Sequence, residues 1–186
     1  MAEPVLETAR LVLRRIVPGD EELQARYLNS PPVMERLGGP KSLDDIRVRL
    51  DKNRQLYADG NLGFLFMIEK ASGELVGHCG FKRVDNPLAH NPGEHEVGWL
   101  VREDRWRRGY ASEAMAAVLD WLFGDCGAPS AVALTSQSNE ASWRFMEKLG
   151  MARAPDLDFD DPNYPPEDNP TIVYRLAREQ WLENTE

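Results

Sequence analysis

The sequence predicts an α/β protein, and three observations carry that prediction. Short apolar runs bounded by turn residues read as strands. Longer stretches between them repeat their apolar residues at spacings of three and four, the period of a helix packed on one side. The order of the two kinds is an early antiparallel meander followed by β–α–β–α–β. That order implies a parallel crossover around the helix at residues 109–123.

The elements follow in order. Residues 10–16 alternate around Leu11, Leu13 and Ile16 and read as a first strand, broken by Pro18-Gly19-Asp20. Residues 20–28 read as a helix with acidic residues in its first turn. Pro31-Pro32 interrupts, and residues 33–37 allow a short helical turn. Ser42 opens a second helix, with Asp45 completing a variant of the capping box, and Asp59-Gly60 ends it. Residues 64–69 and 75–83 are strands joined by the turn Ala71-Ser72-Gly73-Glu74. A loop with two prolines over residues 85–93 leads to a strand at 94–101. Ala111, Ala114, Met115, Val118, Leu119, Leu122 and Phe123 then mark a helix. Residues 131–135 form a strand, 139–149 a helix ended by Gly150, and 151–154 another strand. An acidic, proline-rich loop precedes the strand at 171–176, and residues 178–183 close as a short helix.

At 186 residues the chain is expected to form one domain, residues 1–186, with no internal repeat and no dividing linker. Its 42% hydrophobic and 28% charged residues suit an ordinary soluble globule. A formal net charge of −9 argues against general nucleic-acid or anionic-membrane binding, which needs a basic face. Arg102, Arg105, Arg107 and Arg108 are then a local basic island on an acidic protein. Two cysteines, Cys79 and Cys126, make no disulfide framework and suit a reducing, cytoplasmic setting. No run of about 18 apolar residues predicts a membrane span, and Met1-Ala2-Glu3-Pro4 is too polar to start a signal peptide.

The most informative stretch is Trp106-Arg107-Arg108-Gly109-Tyr110-Ala111-Ser112-Glu113-Ala114. It joins a strand to a helix N-terminus. Free N–H groups there, the helix dipole, a glycine and two arginines together suit a phosphate group.

Taken in order, these pieces resemble the GNAT acetyltransferase superfamily. Gly109-Tyr110-Ala111 matches the end of its acyl-CoA signature, Gln/Arg-x-x-Gly-x-Gly/Ala, while Trp106 departs at the first position. The longer string is similar to the RimJ/RimL-like branch, the ribosomal-protein N-acetyltransferases. Leu6-Glu7-Thr8-Ala9-Arg10-Leu11-Val12-Leu13-Arg14 resembles that branch's first strand. Asn139-Glu140-Ala141-Ser142 with Glu147-Lys148-Leu149-Gly150-Met151 resembles its second cofactor segment, and Val173-Tyr174-Arg175-Leu176 its last strand. The resemblance implies a GNAT fold: a mixed central sheet of about seven strands, helices on both faces, splayed between the fourth and fifth strands. It implies an N-acetyltransferase moving an acetyl group from acetyl-CoA to a primary amine, on a protein N-terminus or a small molecule, with no metal. Monomer and homodimer both stay open, and neither nucleic acid nor membrane is an expected partner.

For site residues, the resemblance implies that the backbone of Arg107, Arg108, Gly109, Tyr110, Ala111 and Ser112 cradles the CoA pyrophosphate. Trp99, Leu100 and Val101 would pair with the pantetheine arm, and Asn139 would hold a pantetheine amide or cap its helix. Glu96, on the strand face shared by Glu94, Gly98 and Leu100, is the first choice of general base. Its other reading is a solvent-facing carboxylate. His95 points the other way, and His78 reads as a packed core histidine. Ser142 shares a helix face with Asn139, Phe145, Met146 and Leu149. It is either the acid for the departing thiolate or a serine bonded back to its own helix. Met146 stands where many GNAT enzymes have a tyrosine. The acidic loop at 156–168 would form a rim attracting a cationic amine, or else a solvated loop. A module that binds acyl-CoA without turnover, as sensor or scaffold, is the alternative function. An unrelated nucleotide-binding protein is disfavoured, because neither a Walker string nor Gly-x-Gly-x-x-Gly occurs.

Overall fold

The computed structural model describes residues 3–60 and 63–185. Met1 and Ala2, on which the signal-peptide expectation partly rests, lie outside the described residues. The chain forms two compact units, Met1–Lys82 with Gly98–Val118, and Arg83–Val97 with Leu119–Glu186.

The first unit begins with a hairpin of β1 (Pro4–Glu7) and β2 (Leu11–Arg14). The expected single strand over this region is therefore two, with a reversal at residues 8–10. That reversal contains no glycine, proline or asparagine. Thr8 makes it instead: its N–H donates to the Leu11 carbonyl at 2.9 Å, and its hydroxyl accepts from the Leu11 N–H at 3.0 Å. Next come α1 (Asp20–Tyr27), α2 (Pro31–Met34) and α3 (Leu43–Gly60). The capping box forms as expected. The Ser42 hydroxyl accepts the Asp45 N–H at 3.1 Å, and Asp45 accepts the Ser42 N–H at 3.3 Å.

Antiparallel β3 (Gly63–Glu69) and β4 (Leu75–Arg83) extend the hairpin, with Leu13 facing Met67 and Phe66 facing His78. Ile16, Leu28, Ile46, Leu50, Phe66 and Leu75 form a buried cluster at this unit's centre, with Leu100 packed against it. Each such side chain contributes about 1.5–3 kcal/mol when removed from water. That is what holds two helices of modest apolar content on the sheet.

β5 (His95–Val101) runs antiparallel to β4. Val84 donates to the Glu94 carbonyl at 2.9 Å near one end, and Arg102 to the Val76 carbonyl at 2.9 Å at the other. α4 (Tyr110–Phe123) follows, burying Ala114, Met115, Val118, Leu119, Leu122 and Phe123. Such a nearly continuous apolar stripe is what a crossover helix requires.

In the second unit, β6 (Ser130–Ser136) pairs parallel to β5 at Glu96↔Val132, the register position between them among the described residues. α5 (Glu140–Lys148), β7 (Ala152–Arg153), β8 (Thr171–Ala177) and α6 (Arg178–Thr185) complete the chain. β6 and β8 are antiparallel from Ser130↔Ala177 to Ser136↔Thr171. Val84, Ala89, Val132, Ala154, Leu157, Phe159 and Val173 form this unit's cluster.

The strands make one mixed sheet in the order β1-β2-β3-β4-β5-β6-β8-β7. Among the described residues it has eight strands, and β1 is the one beyond the expected seven. Among the described residues no helix is long and apolar enough to cross a membrane.

Candidate active site

The loop between β5 and α4 is built in two halves. In the first, residues 103–105 make a single 3-10 turn. Arg102 and Arg105 are both engaged there. Arg102 reaches Glu74 at 3.2 Å and Asp104 at 3.0 Å and stacks on Tyr27 at 4.3 Å. Arg105 pairs with Glu74 at 2.8 Å. The expected four-arginine island is thus divided, because nearby carboxylates neutralise these two. The Trp106 indole donates to the Val101 carbonyl at 2.8 Å, tying the loop to the strand end.

The second half is the phosphate-type segment. Arg107 takes φ +59° and Gly109 φ +81°, both left-handed. A non-glycine residue there is uncommon and clusters at ligand sites. Arg107, Arg108 and Gly109 are exposed, and no carboxylate pairs with either arginine among the described residues. Nor does any described residue accept from the N–H groups of Arg107, Arg108, Gly109, Tyr110 or Ala111. The first α4 bond runs from Glu113 N–H to the Gly109 carbonyl at 3.0 Å. Consecutive N–H donors without a partner among the described residues, at the start of a 14-residue helix and beside two exposed arginines that make no ion pair there, suit an anion. Tyr110 is buried, its hydroxyl donating to Glu69. Ala111, Ser112, Trp99, Leu100 and Val101 are half-buried.

Contacts that sequence reasoning missed brace this segment. Arg10 donates from Nε to Glu113 at 2.6 Å and from Nη1 to the Arg108 carbonyl at 3.0 Å. Thr8 donates its hydroxyl to Glu113 at 2.5 Å. Thr8 and Arg10 stand in the sequence only as residues of the first-strand segment, and Glu113 only as a member of the string at residues 106–114.

In the second unit, Glu96 is half-buried, opposite Val132 of β6. Glu94, expected on the same face, is structural. It holds Arg175 through two bonds of 2.8 Å and accepts from Ser130 and Asn91 at 2.9 Å. Burial raises its carboxyl pKa, but Arg175 and the neutral donors outweigh that and hold it below the usual range. His95 is buried, and its Nδ1 lies 3.2 Å from Arg83. Burial and the Arg83 charge lower its pKa. A guanidinium only donates, so Nδ1 is the acceptor and Nε2 carries the proton. That leaves His95 unsuited to act as a base.

His78, in the first unit, packs edge-on to Phe64 at 5.4 Å, as a packed histidine should. Burial lowers its pKa to about 4, and its Nδ1 has no partner among the described residues.

Asn139 caps α5: its Oδ1 accepts the Ser142 N–H at 3.3 Å, and its carboxamide N–H groups remain as donors. Ser142 is half-buried on the expected stripe, with Met146 and Leu149 buried beside it. No described residue takes the Ser142 hydroxyl, so it is not bonded back to its own helix.

Part of the acidic loop is held by contacts of its own members. Asp158 pairs with Arg153 at 2.7 Å. Buried Asp161 accepts from Asn163 and Asn86. Buried Asp168 accepts the Ser138 hydroxyl and so anchors the entry to α5. Leu157 and Phe159 are core residues, so the loop packs rather than floats. Asp156, Asp160 and Glu167 stay exposed. Among the described residues no group of three or more His, Cys, Asp or Glu side chains is placed to hold a metal ion.

Comparison with known proteins gives the same reading. Residues 10–152 match the acetyltransferase (GNAT) domain model. The chain is 29% identical over 153 residues to the "Uncharacterized N-acetyltransferase YoaA" of Bacillus subtilis, covering 81% of this chain and 84% of that one. It is 26% identical over 187 residues to the "FsC-acetyl coenzyme A-N(2)-transacetylase" of Aspergillus fumigatus, covering 97% and 79%. A solved acetyltransferase from Agrobacterium tumefaciens str. C58 superimposes with a TM-score of 0.77 at 29% identity, over 95% of this chain and 96% of that one. The RimJ/RimL-like branch is compatible with these matches, and the chain belongs to the GNAT acetyltransferase family.

Proposed function

We propose that this protein is an N-acetyltransferase that moves an acetyl group from acetyl-CoA to a primary amine, on a protein N-terminus or a small molecule. The observation that carries this is the run of unpartnered N–H groups over residues 107–111, beside free Arg107 and Arg108. A pyrophosphate offers the oxygens such donors lack, and the helix dipole favours its charge. The Aspergillus relative's name carries acetyl coenzyme A and transfer at N(2).

In this reading the cradle of residues 107–112 holds the pyrophosphate. The strand segment Trp99, Leu100 and Val101 pairs with the pantetheine arm, one N–H polarising the thioester carbonyl. Asn139 donates its carboxamide N–H to a pantetheine amide. Glu96 takes a proton from the incoming amine, directly or through water. The neutral amine then adds to the thioester carbon, and the negative oxygen is stabilised by backbone N–H. When the carbon–sulfur bond breaks, the Ser142 hydroxyl gives a proton to the thiolate and is reprotonated, through water, by the proton that the acylated nitrogen loses, which leaves a neutral amide and free CoA. The family match runs through both units, which supports one functional domain. Two unpaired thiols, Cys79 and Cys126, support a cytoplasmic setting.

Calorimetric titration with CoA, followed by release of free CoA against a panel of amines, tests the proposal. Binding with steady release supports it. Binding with no release across the panel would assign the chain to acyl-CoA binding without turnover.

A further inference from the structure

Arg10 belongs to the β1–β2 hairpin, far in sequence from the phosphate-type segment, yet it grips that segment at several points. Its Nη1 donates to the Arg108 carbonyl at 3.0 Å, its Nε donates to Glu113 at 2.6 Å, and its guanidinium stands 4.5 Å from the Tyr110 ring centre. Its own N–H donates to Glu113 at 2.7 Å, and the Thr8 hydroxyl shares that carboxylate oxygen. Glu113 therefore holds both the hairpin turn and the Arg10 side chain.

The Arg108 carbonyl and the Gly109 N–H belong to the same peptide group. In a trans peptide these two point in opposite directions. Holding the carbonyl on Arg10 therefore aims the Gly109 N–H away from Arg10. A glycine next to a peptide plane lets that plane turn at low cost, because glycine accepts either sign of φ. Without a hold, the plane can turn a carbonyl oxygen toward the bound anion in place of a donor.

We propose that Arg10, fixed by Glu113, is a positioning residue that sets the orientation of the Arg108–Gly109 peptide and so completes the donor array for the CoA pyrophosphate. The proposal rests on the cradle reading given above.

Electrostatics supplies a test of sign. Glu113 is a carboxylate in the first turn of the helix that would bind the anion. On charge alone, Glu113→Gln should tighten CoA binding. The positioning role requires the opposite. Arg10→Met keeps the Glu113 contacts to the Thr8 hydroxyl and the Arg10 N–H, so it stands as an independent variant if Glu113→Gln fails to fold.

The experiment uses the full chain and calorimetric titration with CoA. It is joined by kinetics with acetyl-CoA and with acetyl-pantetheine, which lacks the pyrophosphate. Both variants should bind CoA about tenfold more weakly, the effect of losing one charge-assisted hydrogen bond. KM for acetyl-CoA should rise by the same factor, with kcat at saturation kept. Turnover of acetyl-pantetheine should match the parent. Arg10→Lys should recover little, since an ammonium lacks the planar fork that reaches Glu113 and Arg108 together. Tighter CoA binding in Glu113→Gln alongside weaker binding in Arg10→Met would make Arg10 a direct phosphate ligand and overturn the proposal. Unchanged CoA affinity in Arg10→Met would overturn it, and so would equal losses with both donors. A parent protein that binds no CoA would instead remove the cradle reading itself.

Discussion

Replacing Gly109 is the sharpest test of the cradle. Gly109 has φ +81°, and a Cβ built there would stand 3.4 Å from the Arg10 guanidinium, a contact that a flexible side chain can relieve. Space is therefore not the obstacle to alanine; backbone conformation is. An L-residue in the left-handed region costs about 1–2 kcal/mol. If the folded protein keeps the conformation, Gly109→Ala should lower Tm by about 2–8 °C, from about 2–4 °C per kcal/mol at this chain length. If the loop relaxes instead, the same 1–2 kcal/mol depopulates the cradle about 5–30-fold, and CoA affinity falls by that factor. Gly109→Val should do worse, because β-branched residues at positive φ are true outliers. Differential scanning and calorimetric titration with CoA on the same samples separate the two terms. A variant with parental Tm and parental CoA affinity would show that the left-handed backbone at residue 109 carries neither the fold nor the pyrophosphate, and would refute the reasoning.

Three further outcomes are expected. Ser142→Ala should lower kcat by about 10² while CoA affinity stays near parental, because a proton donated to the thiolate matters only in the transition state; an equal kcat would assign Ser142 to structure. Glu96→Gln should remove the acidic limb of the kcat/KM profile and cost about 10²–10⁴ in rate, whereas a parental profile would mean that the amine arrives neutral. His78→Phe should flatten acid sensitivity. Between pH 6.5 and about 4 the unfolded chain takes a proton that buried His78 refuses, so stability falls on acidification through that window. The slope reaches about 1.4 kcal/mol per pH unit for one proton. Urea unfolding across that range reads it, and an unchanged slope in the variant would reject the assignment.

Much of the chain was legible because its elements announce themselves locally. The capping box Ser42–Asp45, the helix stop at Gly150 and the turn at residues 71–74 depend on neighbours within four positions. The stripe of α4 is equally local, so its place between parallel β5 and β6 could be inferred. β1 was not legible, because Thr8 and Leu11 make the turn and Glu113, over a hundred residues away in sequence, holds it. The arginine island misled for the same reason. A run of like charges along the chain says nothing of which opposite charges fold against it. Glu74 takes Arg102 and Arg105, and Arg153 takes Asp158.

The sequence by itself determined the family, the strand–loop–helix order that ends in α4, and the place of Gly109 at the start of that helix. These follow from short-range geometry, in which backbone conformation and side-chain spacing act over a few residues. Tertiary structure alone decided which charges are free. It left Arg107 and Arg108 uncommitted and neutralised Arg102 and Arg105. It turned Glu94 into a strut and left the Ser142 hydroxyl without a partner among the described residues. The physical reason is that a charged or polar group's behaviour is set by the groups within a few ångströms of it, and folding brings those from distant parts of the chain.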